Sequence, residues 1–141
     1  MGETIRRSDV GALMVAACPS YEPIWADSHD LNVDHETGER LCYLDAGDLT
    51  RHLVALLAEG RTETFPAVFG VIERLHEDGD DYVRELATIG YLEGLQFAAS
   101  HEPAVDESFP IAYLGPESLR WWRGLVAYWA GDASTVEPLD A

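Results

Sequence analysis

The stretch from Tyr82 to Ala99, YVRELATIGYLEGLQFAA, constrains the fold more than any other part of the chain. Val83, Leu86, Ile89, Gly90, Leu92 and Leu95 cannot share one side of a helix, so this segment is apolar around most of its circumference. A helix of that kind needs neighbours on several faces, which makes it the expected centre of a helical assembly. The segment before it supplies one neighbour. Phe65, Val68, Phe69, Ile72 and Leu75 recur at the spacing of a single helical stripe, and Gly79 ends the pattern. No segment shows sustained period-two alternation. The expected fold is all-α, a compact bundle of five to six helices.

The rest of the chain reads as helices separated by two irregular stretches. A first helix is expected from Ser8 to Cys18, stopped by Pro19, and a short second one from Ser20 with Tyr21, Ile24 and Trp25 inward. From Asp27 to Arg40 the pattern vanishes into a polar, acidic surface loop, long enough to be functional or mobile. Periodicity returns at Leu41 and runs to Gly60, placed as a C-terminal cap. Thr62 is the expected cap of the next helix, with Pro66 early enough to be tolerated. Asp80 or Asp81 caps the central one. A second irregular stretch spans His101 to Tyr113. The last helix opens at Pro116 after Gly115 and runs to about Trp129. The expectation is therefore one helical domain over residues 1–131, followed by a frayed acidic tail over 132–141.

Charge narrows the partners. The 141 residues carry 9 basic side chains, all arginine, against 26 acidic ones, for a net charge of −17. Such a body repels phosphate backbones and anionic lipid within about a Debye length, so neither nucleic acid nor membrane is expected as a partner. No apolar run reaches the roughly 18 residues of a membrane span. A basic protein, a polyamine or a metal ion would be attracted instead. Cys18 and Cys42 are too few for a disulfide scaffold and form no CxxC pair. With no hydrophobic signal core at the N-terminus, they read as buried thiols in a cytoplasmic protein. Oligomeric state stays open between monomer and homodimer.

Two resemblances add to this reading. In GDDYVRELATIGYLEGL, Asp81, Val83, Arg84 and Ala87 resemble the second helix of a HEAT-type repeat, where Asp caps the helix, Val and Ala pack on the preceding helix, and Arg reaches back to carboxylates at the turn. The pair 62–78 and 81–98 would be one HEAT-like antiparallel hairpin, with no second copy at a 40-residue period. Further, ACPSYEPIW, LDAGDLTRHLVALLAEG, FPAVFGVIERLHEDGDDYVRELATIGYLEGLQ and LGPESLRWW together resemble a family of small bacterial all-helical proteins of unknown function, over roughly residues 13–130. In size and solitary-domain style its members are similar to immunity proteins of toxin systems. The resemblance carries no catalytic residue across.

The candidate sites follow from polar clusters. Asp27, His29, Asp30, Asp34, His35, Glu36 and Glu39 crowd the first loop, yet match no metal-binding spacing, and the cluster is read without a metal. Asp45, Asp48, Arg51 and His52 share a helical neighbourhood in which Asp48 could orient His52, the raw material of a general base. Around the 75–81 turn, Glu77 and Asp78 sit at a helix C-terminus, where acids oppose the macrodipole. The leading expectation is a non-enzymatic, acidic protein-binding module of immunity or antagonist type. It would mask a basic partner protein, such as a toxin, with Asp30, Asp34, Glu36, Glu77, Asp78, Asp80 and Asp81. The alternative is a small-molecule-binding or catalytic helical domain with a pocket lined by Trp25, Tyr43, His52, Trp121 and Trp122. No Gly-rich phosphate loop or Ser-His-Asp arrangement is present, so neither a cofactor nor a catalytic residue is assigned.

Overall fold

A computed structural model describes residues 3–130; the acidic tail expected over 132–141 lies outside the described residues. Those residues form an all-α bundle: α1 (Arg7–Ala17), α2 (Glu22–Asp27), α3 (Cys42–Ala58), α4 (Phe65–Asp78), α5 (Asp81–Glu85), α6 (Glu93–Ser100) and α7 (Pro116–Trp129). A π-helical stretch, Leu86–Leu92, joins α5 to α6 into one continuous rod, and short 3-10 turns occur at Pro19–Tyr21 and Phe109–Ala112. Counting that rod once, the described residues hold six helices.

The rod is central, as its all-round apolarity requires, but it is not one regular α-helix. The Glu93 N–H bonds the Thr88 carbonyl, one residue further back than an α-helix allows. Leu86, Ala87, Thr88, Gly90, Tyr91 and Leu92 are all buried over this wider coil. α3 crosses the rod closely because small residues meet there. A Cβ on Gly90 would lie 3.2 Å from the Ala46 methyl, and one on Gly94 would lie 3.2 Å from the Thr50 hydroxyl. Any larger side chain at these positions would push the helices apart.

Helix ends explain the boundaries. At the end of α3, Gly60 takes φ 75°, its N–H reaches Leu57 O at 2.9 Å, and Arg61 N–H reaches Leu56 O at 2.8 Å. This is a Schellman closure, which a left-handed residue permits. α4 starts two residues later than Thr62 would place it, with Thr64 as its N-cap and Pro66 in the first turn. Thr62 contributes only its carbonyl, to the Phe65 N–H. The turn into α5 is tight: Asp80 Oδ1 accepts from Val83 N at 2.9 Å. Ile5 pairs alongside it, donating to Asp78 O and accepting from Asp80 N. A Cβ on Gly79 would run into the Leu75 carbonyl and the Val83 side chain, so the turn requires glycine.

Both irregular stretches are better fastened than their polarity suggests. In the first, Val33 bridges Arg40 in an antiparallel pair, and Gly38, at φ 76°, closes the Asp34–Glu39 turn. Asn32 and Val33 are buried beneath it. In the second, Phe109 and Tyr113 pack on α4, with Tyr113 stacked on Phe69 at 5.3 Å between ring centroids. Cys18 and Cys42 are buried free thiols.

Candidate functional site

Two buried polar clusters and one exposed acidic surface hold the residues with chemistry. The first cluster pins the 27–40 loop to α3. Arg40 donates to Asp45 through Nε at 3.0 Å and through Nη2 at 2.6 Å, and its Nη2 also reaches Ser28 Oγ and the Trp25 carbonyl. The guanidinium lies 4.8 Å from the centre of the Trp25 ring. Asn32 Nδ2 donates to both Asp45 Oδ1 and Asp48 Oδ2 at 2.9 Å. Asp48 is also paired with Arg51. The Tyr21 hydroxyl donates to the Asp45 carbonyl, and burial, ahead of the Asp45 and Asp48 charges, pushes its pKa up.

The expected Asp48–His52 dyad does not form. His52 Nε2 meets Ser20 Oγ at 2.8 Å instead, while Asp48 is held by Asn32 and Arg51. Burial and then the nearby Arg61 charge lower the His52 pKa, which favours the neutral ring. Asp45 is 5 % exposed and saturated by Arg40 and Asn32, so it is a structural anion and not a base facing a substrate.

The second cluster joins α7 to the α4–rod hairpin. Glu73 on α4 accepts from Ser118 N at 2.8 Å and Glu117 N at 3.0 Å, so a carboxylate from another helix caps the start of α7. Gly115 makes room for it; a Cβ there would lie 2.5 Å from the Glu73 carboxyl carbon. Burial works to raise the Glu73 pKa, but the two N–H groups outweigh it and the net shift is downward. One turn on, His76 Nδ1 meets Ser118 Oγ at 2.8 Å and its Nε2 meets Thr88 Oγ1 at 2.9 Å. Burial drives the His76 pKa down to about 4, against the pull of Glu73, so the ring is neutral near neutral pH. Ser118, His76 and Thr88 have the composition of a catalytic set. They are 0 %, 4 % and 2 % exposed, however, and offer no atom to a substrate.

Both clusters contain residues that sequence reasoning missed: Asn32, Arg40, Thr88 and Ser118. Glu73 and His76 stand beside the acids of the 77–81 turn in the sequence, yet a signal existed for the burial of His76. It lies eleven residues after Phe65 and four after Ile72, on the buried stripe of α4. A polar ring on that stripe has to find partners inside.

The acidic candidates lie mainly on the surface. Asp30 and Asp81 side chains are 98 % and 95 % exposed, and Glu36, Glu77 and Asp78 are exposed too. Two of the seven are partly occupied by local structure. Asp34 Oδ1 accepts from Glu36 N at 2.9 Å, and Asp80 is the α5 cap. Asp81 pairs with Arg84 at 2.6 Å. The far end of the loop and Asp80 line one groove, through Thr37, Gly38 and Glu39 together with Arg6 and Arg7. Arg7 is held there by Glu39 at 3.2 Å and lies over Tyr82 at 4.4 Å. Among the described residues, no group of three or more His, Cys, Asp or Glu side chains is placed to hold a metal ion.

The five residues of the alternative pocket are dispersed. Trp25 borders a space of about 30 Å³ beside α1, whereas Trp122 lines a separate cleft next to α6. Tyr43 sits edge-on to Tyr82, and burial pushes its pKa up to about 12. Trp121 carries Arg120 over its ring at 4.9 Å, and His52 faces Ser20.

Fold and site thus define an all-α protein with two polar clusters inside it, built on Asp45 and Glu73, and with most of its candidate binding acids exposed. The chain belongs to a family described as a domain of unknown function (DUF7674), whose model matches residues 12–130. No curated protein and no solved structure matches it. None of the described helices is long and apolar enough to cross a membrane.

Proposed function

We propose that this protein is a non-enzymatic, acidic binding module that covers the basic surface of a partner protein, in the manner of an immunity or antagonist protein. The reading rests on one observation. Glu77 and Asp78 stand exposed at the C-terminal end of α4, where the helix dipole disfavours them, and Asp81 follows directly across a turn built on Gly79. Acids kept at a place that local energetics disfavour point to a use outside the fold. Asp30 and Glu36 extend the same sign of charge along the 27–40 loop. Long-range attraction from a body of net charge −17 would speed encounter with a cationic partner.

The test separates binding from folding. In Glu77→Lys/Asp78→Lys/Asp81→Lys, the Asp80 cap is kept and the charge of the turn is reversed. Wild-type protein, tagged and exposed to lysate of its own host, is expected to retain a basic polypeptide in stoichiometric amount at low salt and to release it at high salt. The variant is expected to lose that polypeptide while its circular dichroism is unchanged. Retention unaltered by the reversal removes the turn from the site.

A further inference from the structure

We infer that the cleft between α6, the Phe109–Ala112 turn and the C-terminal half of α7 is a binding site for a small hydrophobic amine. The cleft holds about 340 Å³, within the range of small-molecule sites. Its floor is the buried Trp122, and Ile111, Val126 and Trp129 form apolar walls. Those three are 49 %, 47 % and 57 % exposed, so apolar surface faces an open space that nothing among the described residues fills.

The polar groups at its edge select the ligand's charge. Gln96 lines the cleft, and its carboxamide oxygen is buried without a hydrogen-bond donor. Being buried, that oxygen is closed to a ligand, and the choice of charge falls to the exposed groups of the wall. The two serines on the wall have already committed their protons. Ser100 Oγ donates to the Phe97 carbonyl at 2.7 Å, and Ser108 Oγ donates to Asp106 Oδ1 at 2.8 Å. Ser100 Oγ also lies 3.1 Å from His101 Nδ1, so neither hydroxyl keeps a proton for an anionic ligand. Glu107 adds a carboxylate to the same wall. A carboxylate beside the indoles of Trp122 and Trp129 suits an ammonium group, which is attracted to carboxylate and ring alike. The Glu107 carboxylate would repel an anionic ligand of the same shape.

This site is independent of the proposed protein-binding surface. The rod begins at the acidic turn with Asp81 and ends at the cleft with Ser100, so the two lie at opposite ends of it. Loss of one need not disturb the other.

Phenethylamine and phenylacetate, matched in size and opposite in charge, are the probes, read by tryptophan emission and by calorimetry. The wild-type chain is expected to bind phenethylamine saturably and phenylacetate at least tenfold more weakly. Glu107→Gln is expected to weaken the amine about tenfold. Val126→Phe, which fills the cleft from an exposed position, is expected to abolish binding with the melting temperature retained. Absence of saturable amine binding, equal binding of phenylacetate, or full binding by Val126→Phe would overturn the assignment. So would sedimentation showing that Val126→Phe dissociates a dimer while the amine has no effect, since the cleft would then belong to a second copy.

Discussion

The two buried polar clusters solve the same problem with opposite electrostatics. Around Arg40 and Asp45, a full charge pair is buried with its hydrogen bonds satisfied by Asn32 and Ser28, and the product is a loop fixed on α3. Around His76 the ring is neutral, bridged between two hydroxyls, and the product is a last helix fixed on a hairpin. A buried charge pair is unforgiving because removing one partner strands the other in a medium of low polarity. A neutral relay costs less to break but is vulnerable to protons, because the imidazole must stay uncharged to remain inside. The difference teaches where each region should fail, and under which conditions.

The largest effect is expected at the charged cluster. Arg40→Met leaves Asp45 buried without its cation and should lower unfolding free energy by about 3–5 kcal/mol in urea titration. The loop should also open, so amides from 28 to 40 should lose hydrogen-exchange protection before those of α4. Equal protection in both regions would mean that the loop is held by Val33 and the turn alone.

At the neutral cluster the variable is pH. The folded His76 pKa, near 4, lies below the ordinary histidine value of about 6.5, so protons bind more readily to the unfolded chain. The stability it contributes is complete above pH 6.5 and is lost as pH falls toward 4, about 3 kcal/mol in all. Glu73 acts with the same sign at lower pH, since its folded pKa is also depressed. His76→Gln keeps an amide for hydrogen bonding and removes the titration. Its stability should therefore fall less steeply than wild type between pH 6.5 and 4.5, and parallel slopes would place the acid sensitivity elsewhere.

The bundle was legible in sequence because its signals are one-dimensional. Phe65 through Leu75 keep one helical spacing, Gly60 and Gly79 mark ends, and the stretch after Asp81 is apolar all round, so element type followed from pattern alone. The π-helical Leu86–Leu92 was not legible, since an extra residue per turn leaves the set of apolar residues unchanged. Nor were the clusters. Glu73 caps a helix that begins 43 residues later, and Asn32 meets Asp48 across the loop; neither spacing carries a local signal. The 27–40 loop looked unconstrained for the same reason: the arginine and asparagine that hold it are polar residues in a polar stretch.

The smallest effect tests the border between folding and function within the acidic turn itself. Asp80 and Asp81 are adjacent carboxylates with different work. Asp80 accepts the Val83 N–H, whereas Asp81 makes a surface pair with Arg84 and is otherwise open to solvent. Asp80→Ala should cost about 1 kcal/mol, as loss of an N-cap usually does, with Asp80→Asn recovering most of it. Asp81→Ala should leave the urea midpoint essentially unmoved, because exposed ion pairs contribute little. If the proposed binding surface is right, partner affinity should order the other way, falling for Asp81→Ala more than for Asp80→Asn. A pair of variants that lose affinity only in proportion to stability would assign the whole turn to the fold, and would move the search for function to the cleft at the far end of the rod.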